Sequence, residues 1–157
     1  MKNYFVLSRR LLGILALASA SAFAASDFSG TWKLDPAKSD FGPVPAPESM
    51  SRVVTQDKSS ITLETTQKNA QGEVKTKITF KLDGTPSTNQ TALGEVKGTA
   101  KFEGDKLRIK TTRETQGMEI TFDELWTLEA DGKAMNVANK VSTPQGEFDI
   151  KLALVKQ

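Results

Sequence analysis

Arg113 and Glu124 are the two residues whose types and positions would set charged chemistry inside an apolar core. From Met118 to Leu128, strict alternation puts Ile120, Phe122, Glu124, Trp126 and Leu128 on one face of a strand. The preceding segment continues an inward set from Leu107 and Ile109 to Thr111 and Arg113, and the following one turns Asn139 inward between Val137 and Val141. A buried charge is costly unless it is paired, hydrated in a cavity or set against a polar ligand group. A two-residue turn at Gln116-Gly117 would put Arg113 opposite Ile120 and Glu124 opposite Ile109, so the two are not cross-strand partners. Three readings stay open: the charges meet across a lumen, a bulge turns one outward, or they face a ligand.

Little else supports chemistry. The chain has no His and no Cys, and its single Tyr, Tyr4, lies in the N-terminal leader described below. Serine hydrolase triads, cysteine nucleophiles and histidine-ligated zinc or copper are thereby excluded. Carboxylates, lysines and hydroxyls remain, and no carboxylate pair or Ser-Lys spacing stands out among them. The expectation is a non-enzymatic protein with no metal site and no cofactor.

Residues 1–24 read as a signal peptide. Lys2, Arg9 and Arg10 precede the apolar run Leu11 to Ala18, and Ala22-Phe23-Ala24 has the small-x-small pattern of a cleavage site. The apolar run is too short to span a bilayer, and no later stretch is long enough. Ser8-Arg9-Arg10-Leu11-Leu12 loosely resembles a twin-arginine signal, although paired basic residues are common in ordinary leaders. Without cysteine there is no site for a lipoprotein anchor. A periplasmic or secreted protein is expected. Three of the 21 basic residues and none of the 19 acidic ones fall in the leader, so residues 25–157 carry one acid more than base. The formal charge of +2 on the full chain therefore gives no case for a nucleic-acid partner.

The elements that must position Arg113 and Glu124 are strands. Gln71-Gly72, Asp83-Gly84, Glu103-Gly104, Gln116-Gly117, Asp131-Gly132 and Gln145-Gly146 mark tight turns, and the stretches between them alternate with period two. Val74, Thr76, Ile78, Phe80 and Leu82 share one face, with Lys75, Lys77, Thr79 and Lys81 on the other. Val96, Gly98, Ala100 and Phe102 also point inward, as do Phe148, Ile150, Leu152 and Leu154 in the last strand. Outward lysines exclude an outer-membrane barrel. The first strands are Gly30 to Leu34, Met50 to Gln56 and Ile61 to Gln67. An up-and-down antiparallel meander of about 8 to 10 strands with one apolar face closes most simply into an all-β barrel, a single domain over residues 25–157. A two-sheet sandwich is the alternative. The small residues Gly98 and Ala100 fit sharp barrel curvature or an approaching ligand. Asn89-Gln90-Thr91 fits a glycosylation sequon, a pattern frequent by chance.

Asp35 followed by Pro36 predicts a short helical turn, and Phe41-Gly42-Pro43-Val44-Pro45-Ala46-Pro47 predicts an extended connection anchored by Phe41. That connection is either a rigid link or a flap over the mouth of a barrel.

Phe28-Ser29-Gly30-Thr31-Trp32-Lys33-Leu34 resembles the Gly-x-Trp opening of lipocalins and related calycin barrels. The resemblance implies that Gly30 turns the chain into the first strand and that Trp32 plugs the closed end against a basic side chain. For that basic partner the final strand offers Lys151 and Lys156. The longer segment Phe28 to Pro43 also looks like the start of small secreted bacterial proteins without assigned function. Trp32 to Ser39 resembles the polyisoprenoid-binding lipocalin-like family.

Two functional expectations follow. In the first, an exported barrel holds a small apolar or amphipathic molecule, with Phe80, Phe102, Phe122 and Trp126 as walls, Arg113 as polar anchor and Glu124 among the ligand contacts. In the second, side chains fill the barrel and its loops serve an envelope protein partner, as an interaction or inhibitor module.

Overall fold

The computed structural model describes residues 25–157, and the expected leader, residues 1–24, lies outside the described residues. Ten strands follow one another: β1 (Gly30–Leu34), β2 (Ser49–Gln56), β3 (Ser60–Asn69), β4 (Gly72–Lys81), β5 (Ser87–Thr91), β6 (Gly94–Glu103), β7 (Lys106–Thr115), β8 (Met118–Leu128), β9 (Ala134–Thr143) and β10 (Gly146–Lys156). Each strand pairs antiparallel with its sequence neighbour, except that β4 and β5 do not pair and β1 joins β10. The result is an all-β, nearly closed up-and-down barrel.

Alternation builds the wall. In β9 the pattern is regular, with Met135, Val137, Asn139 and Val141 buried and the residues between them exposed. At the β7–β8 turn both central residues have positive φ, 53° at Gln116 and 74° at Gly117, the geometry that matches the twist of a two-residue hairpin. This turn fixes the register: Arg113 pairs with Ile120 and Ile109 with Glu124, as the spacing predicts.

One end of the barrel is closed by packed side chains. Phe28, Trp32, Trp126, Met135 and Leu154 are fully buried there. The Phe28 ring lies 6.3 Å from that of Phe102 and meets Trp126 edge-on at 5.8 Å, while its carbonyl accepts the Trp32 indole N–H at 2.8 Å. The Gln56 carboxamide holds the segment in place, accepting from Phe28 N–H and donating to the Ser26 carbonyl. Lys156 Nζ sits 5.3 Å from the Trp32 ring centroid, so Lys156 rather than Lys151 is the basic partner of that tryptophan.

The sheet closes without a β4–β5 ladder. Asn89 reaches from β5 to the backbone of Thr79, accepting its N–H at 2.9 Å and donating to its carbonyl at 3.0 Å. Below it, Gly84 N–H donates to the Ala100 carbonyl. Gly98 supplies the curvature: a Cβ there would collide with the Lys110 carbonyl and the Thr111 methyl group and press on the Phe80 ring. The room at Gly98 is therefore taken by the protein's own chain rather than by a ligand.

Between β1 and β2, Asp35 caps a single 3-10 turn, Pro36–Lys38, by accepting from Ala37 N–H. The chain then returns to β10, where Asp40 and Lys151 exchange backbone hydrogen bonds of 2.7 Å. Phe41 packs on the core beside it. The proline-rich connection contributes no residue to the lining of the cavity described next.

Candidate functional site

The other end of the barrel is open. A cavity of about 400 Å³ is lined by β2 to β8, and its wall includes Leu63, Thr76, Phe80, Val96, Thr111 and Arg113. The lining extends to Asn69 at the β3–β4 turn and to Leu93 at the β5–β6 turn, which marks its mouth. Leu93 is 44% exposed there, a large apolar side chain in contact with solvent.

Arg52 on β2 and Glu124 on β8 form the floor. Their strands are four apart in the ring, so the contact crosses the lumen. Arg52 Nη1 lies 3.7 Å from Glu124 Oε2, longer than a hydrogen bond, and that oxygen already accepts the Trp126 indole N–H at 2.6 Å. The Arg52 guanidinium lies over the Trp126 ring at 4.9 Å and donates from Nε to Thr65 Oγ1 at 3.1 Å. The charges are thus balanced against each other in a layer that separates the cavity from the packed end.

Arg113 has no such balance. Among the described residues no carboxylate lies within 4.0 Å of it, its Nε is buried without a hydrogen-bond partner, and its guanidinium rests 5.0 Å from the Phe122 ring centroid. Burial pushes its pKa below the ordinary arginine value, because nothing nearby compensates the lost hydration. The aromatic face supplies part of the attraction that water would otherwise give.

Of the residues singled out from the sequence, Phe80, Arg113 and Glu124 line this cavity. Trp126 lies beneath it as donor to Glu124, and Phe122 is the platform for Arg113. Phe102 lies at the closed end beside Phe28, in a separate cleft of about 620 Å³ with Asp57 and Lys58. Arg113 and Glu124 do not pair with each other; Glu124 takes Arg52. Sequence reasoning missed Arg52, although alternation in β2 sets it inward between Met50 and Val54.

No family model matches the chain, and no curated protein matches it. Solved structures do. A secretory abundant heat soluble protein from Ramazzottius varieornatus aligns at a TM-score of 0.61 and 14% identity, over 86% of this chain and 98% of that one. A variant of the fluorescent protein UnaG aligns at 0.57 and 18% identity, over 83% and 96%. Zebrafish ileal bile acid-binding protein, complexed with cholic acid, aligns at 0.55 and 18% identity, over 83% and 98%. The fold is a calycin-type barrel. At these identities the likeness concerns the fold alone, and the lining of the lumen has to be read from this chain's own side chains.

Proposed function

We propose that this protein is a non-enzymatic carrier that holds a small amphipathic molecule, with the acidic group of that molecule at Arg113 and its apolar part against Leu63, Phe80 and Val96. The observation that carries this reading is an unpaired, half-buried guanidinium facing an open cavity of about 400 Å³, a volume within the range of small-molecule sites. An uncompensated cation in a lumen is destabilising on its own and becomes favourable when an anion binds. The bile acid-binding protein that shares the fold supports a small-molecule role for such a barrel. The envelope interaction or inhibitor module has the filled lower half of the barrel in its favour, but it requires the whole lumen to be filled. The N-terminal pattern of residues 1–24 supports export, and the setting we propose is the periplasm or the cell exterior.

Native mass spectrometry of protein taken from its own compartment, followed by solvent extraction, tests the reading. The expected result is an excess mass that extraction releases as an amphipathic acid, lost when Arg113→Met is purified in the same way. A bare protein mass, with no thermal shift against a panel of amphipathic acids, overturns it.

A further inference from the structure

We infer that the floor of the cavity is a second polar subsite, built by Glu124 with Arg52, that takes a hydroxyl group at the far end of the molecule whose acid Arg113 holds. The inference rests on the carrier reading and adds to it the class of ligand: a hydroxylated amphipathic acid in place of a plain one.

Glu124 retains an unused acceptor. Its Oε2 serves Trp126 and faces Arg52, but no group among the described residues donates to Oε1, and the side chain keeps 19% exposure within the cavity lining. Asn139, the register partner of Glu124 on β9, is 7% exposed and leaves its own Oδ1 buried without a donor. The Arg52 Nη1 donor is likewise buried without a partner, so the floor leaves both acceptors and a donor unmet and calls for a group that donates and accepts. An amine cation is disfavoured, because the Arg52 guanidinium at 3.7 Å already balances the carboxylate and would repel it. A second carboxylate is disfavoured by Glu124 itself. A hydroxyl is neutral and donates to Glu124, and its oxygen tolerates the neighbouring guanidinium as a donor.

The spacing sets a length. Arg113 lies four residues along β7 from Ile109, the register partner of Glu124, which separates the two polar levels by about 13 Å. That interval fits a medium-chain acid with its hydroxyl near the opposite end.

The test compares decanoate with ω-hydroxydecanoate on the full mature protein by isothermal titration calorimetry. Wild type is expected to bind the hydroxy acid about tenfold more tightly or better, because the acceptors at the floor go unmet with the plain acid. The paired replacement Arg52→Met with Glu124→Leu removes both charges at similar volume, and is expected to abolish the preference for the hydroxy acid. Arg113→Met is expected to lose both. Equal wild-type affinity for the two acids overturns the floor subsite and leaves the carrier reading standing. No wild-type binding of either acid overturns the Arg113 anchor and the floor subsite together. The wild-type comparison decides the matter even if the paired variant does not fold.

Discussion

The carboxamide of Asn89 stands in for a missing rung between two strands: it accepts the N–H of Thr79 at 2.9 Å and donates to the carbonyl of the same residue at 3.0 Å. With the Ser87 hydroxyl, which accepts from Lys81 N–H at 3.4 Å, it satisfies a backbone edge that would otherwise be open. Asn89→Ala is expected to destabilise the protein by about 1 kcal/mol. Hydrogen exchange should locate the effect, with the Thr79 amide losing protection while the β9 and β10 amides keep theirs. Unchanged protection at Thr79 would show that the seam is held by other contacts.

Arg113 should be a liability in the empty protein. Arg113→Met removes a buried nitrogen without a partner and keeps the contact with Phe122, so the expected gain in stability is about 1 kcal/mol in chemical denaturation. Loss of stability in the ligand-free variant would mean that Arg113 is a structural residue.

Gly98 should tolerate no side chain. Gly98→Val drives its methyl groups toward the Lys110 carbonyl and the Phe80 ring and is expected to cost about 2 kcal/mol or more in urea unfolding. Adding Phe80→Leu should not restore the loss, because the backbone obstacle at Lys110 remains.

Asp57 organises the β2–β3 turn by accepting from the backbone and side chains of Ser59 and Ser60, and the backbone bond to Ser59 is the largest cause that lowers its pKa to about 2. A carboxylate depressed in the folded state stabilises above its unfolded pKa of about 4, and that contribution fades as pH falls toward about 2. Asp57→Ala is therefore expected to lower the thermal midpoint at pH above about 5 and to leave it unchanged below about 2. Following the Asp57 carboxyl carbon by NMR would check the midpoint directly.

The strands and the β7–β8 register were legible because they depend on local signals. Period-two alternation separates faces, and Gln116-Gly117 admits a single tight turn, which sets Arg113 against Ile120. Alternation gives a face but not a depth along the barrel. That is why Phe102, correctly turned inward, belongs to the packed end, and why Phe122 supports Arg113 from beside it rather than walling the cavity. The partner of Glu124 was beyond local reasoning. Arg52 lies on the opposite wall, and which residues meet across a lumen is decided by strand tilt and by the way the ring closes. Its inward direction was nonetheless readable from Met50 and Val54.

The pairing of β1 with β10 makes the molecule a ring of two meanders, β1 to β4 and β5 to β10, each held together by neighbours in sequence. Apart from the long connection between β1 and β2, the hairpins within each meander need only short loops to close, whereas Trp32 must find Lys156, and Leu34 must find Leu154, across nearly the whole chain. Loop closure of that length is entropically slow, so the ring should be completed after its parts. Until Leu154, Val155 and Lys156 are in place, the two meanders are partial shells with their apolar faces uncovered. The final strand turns them into a vessel.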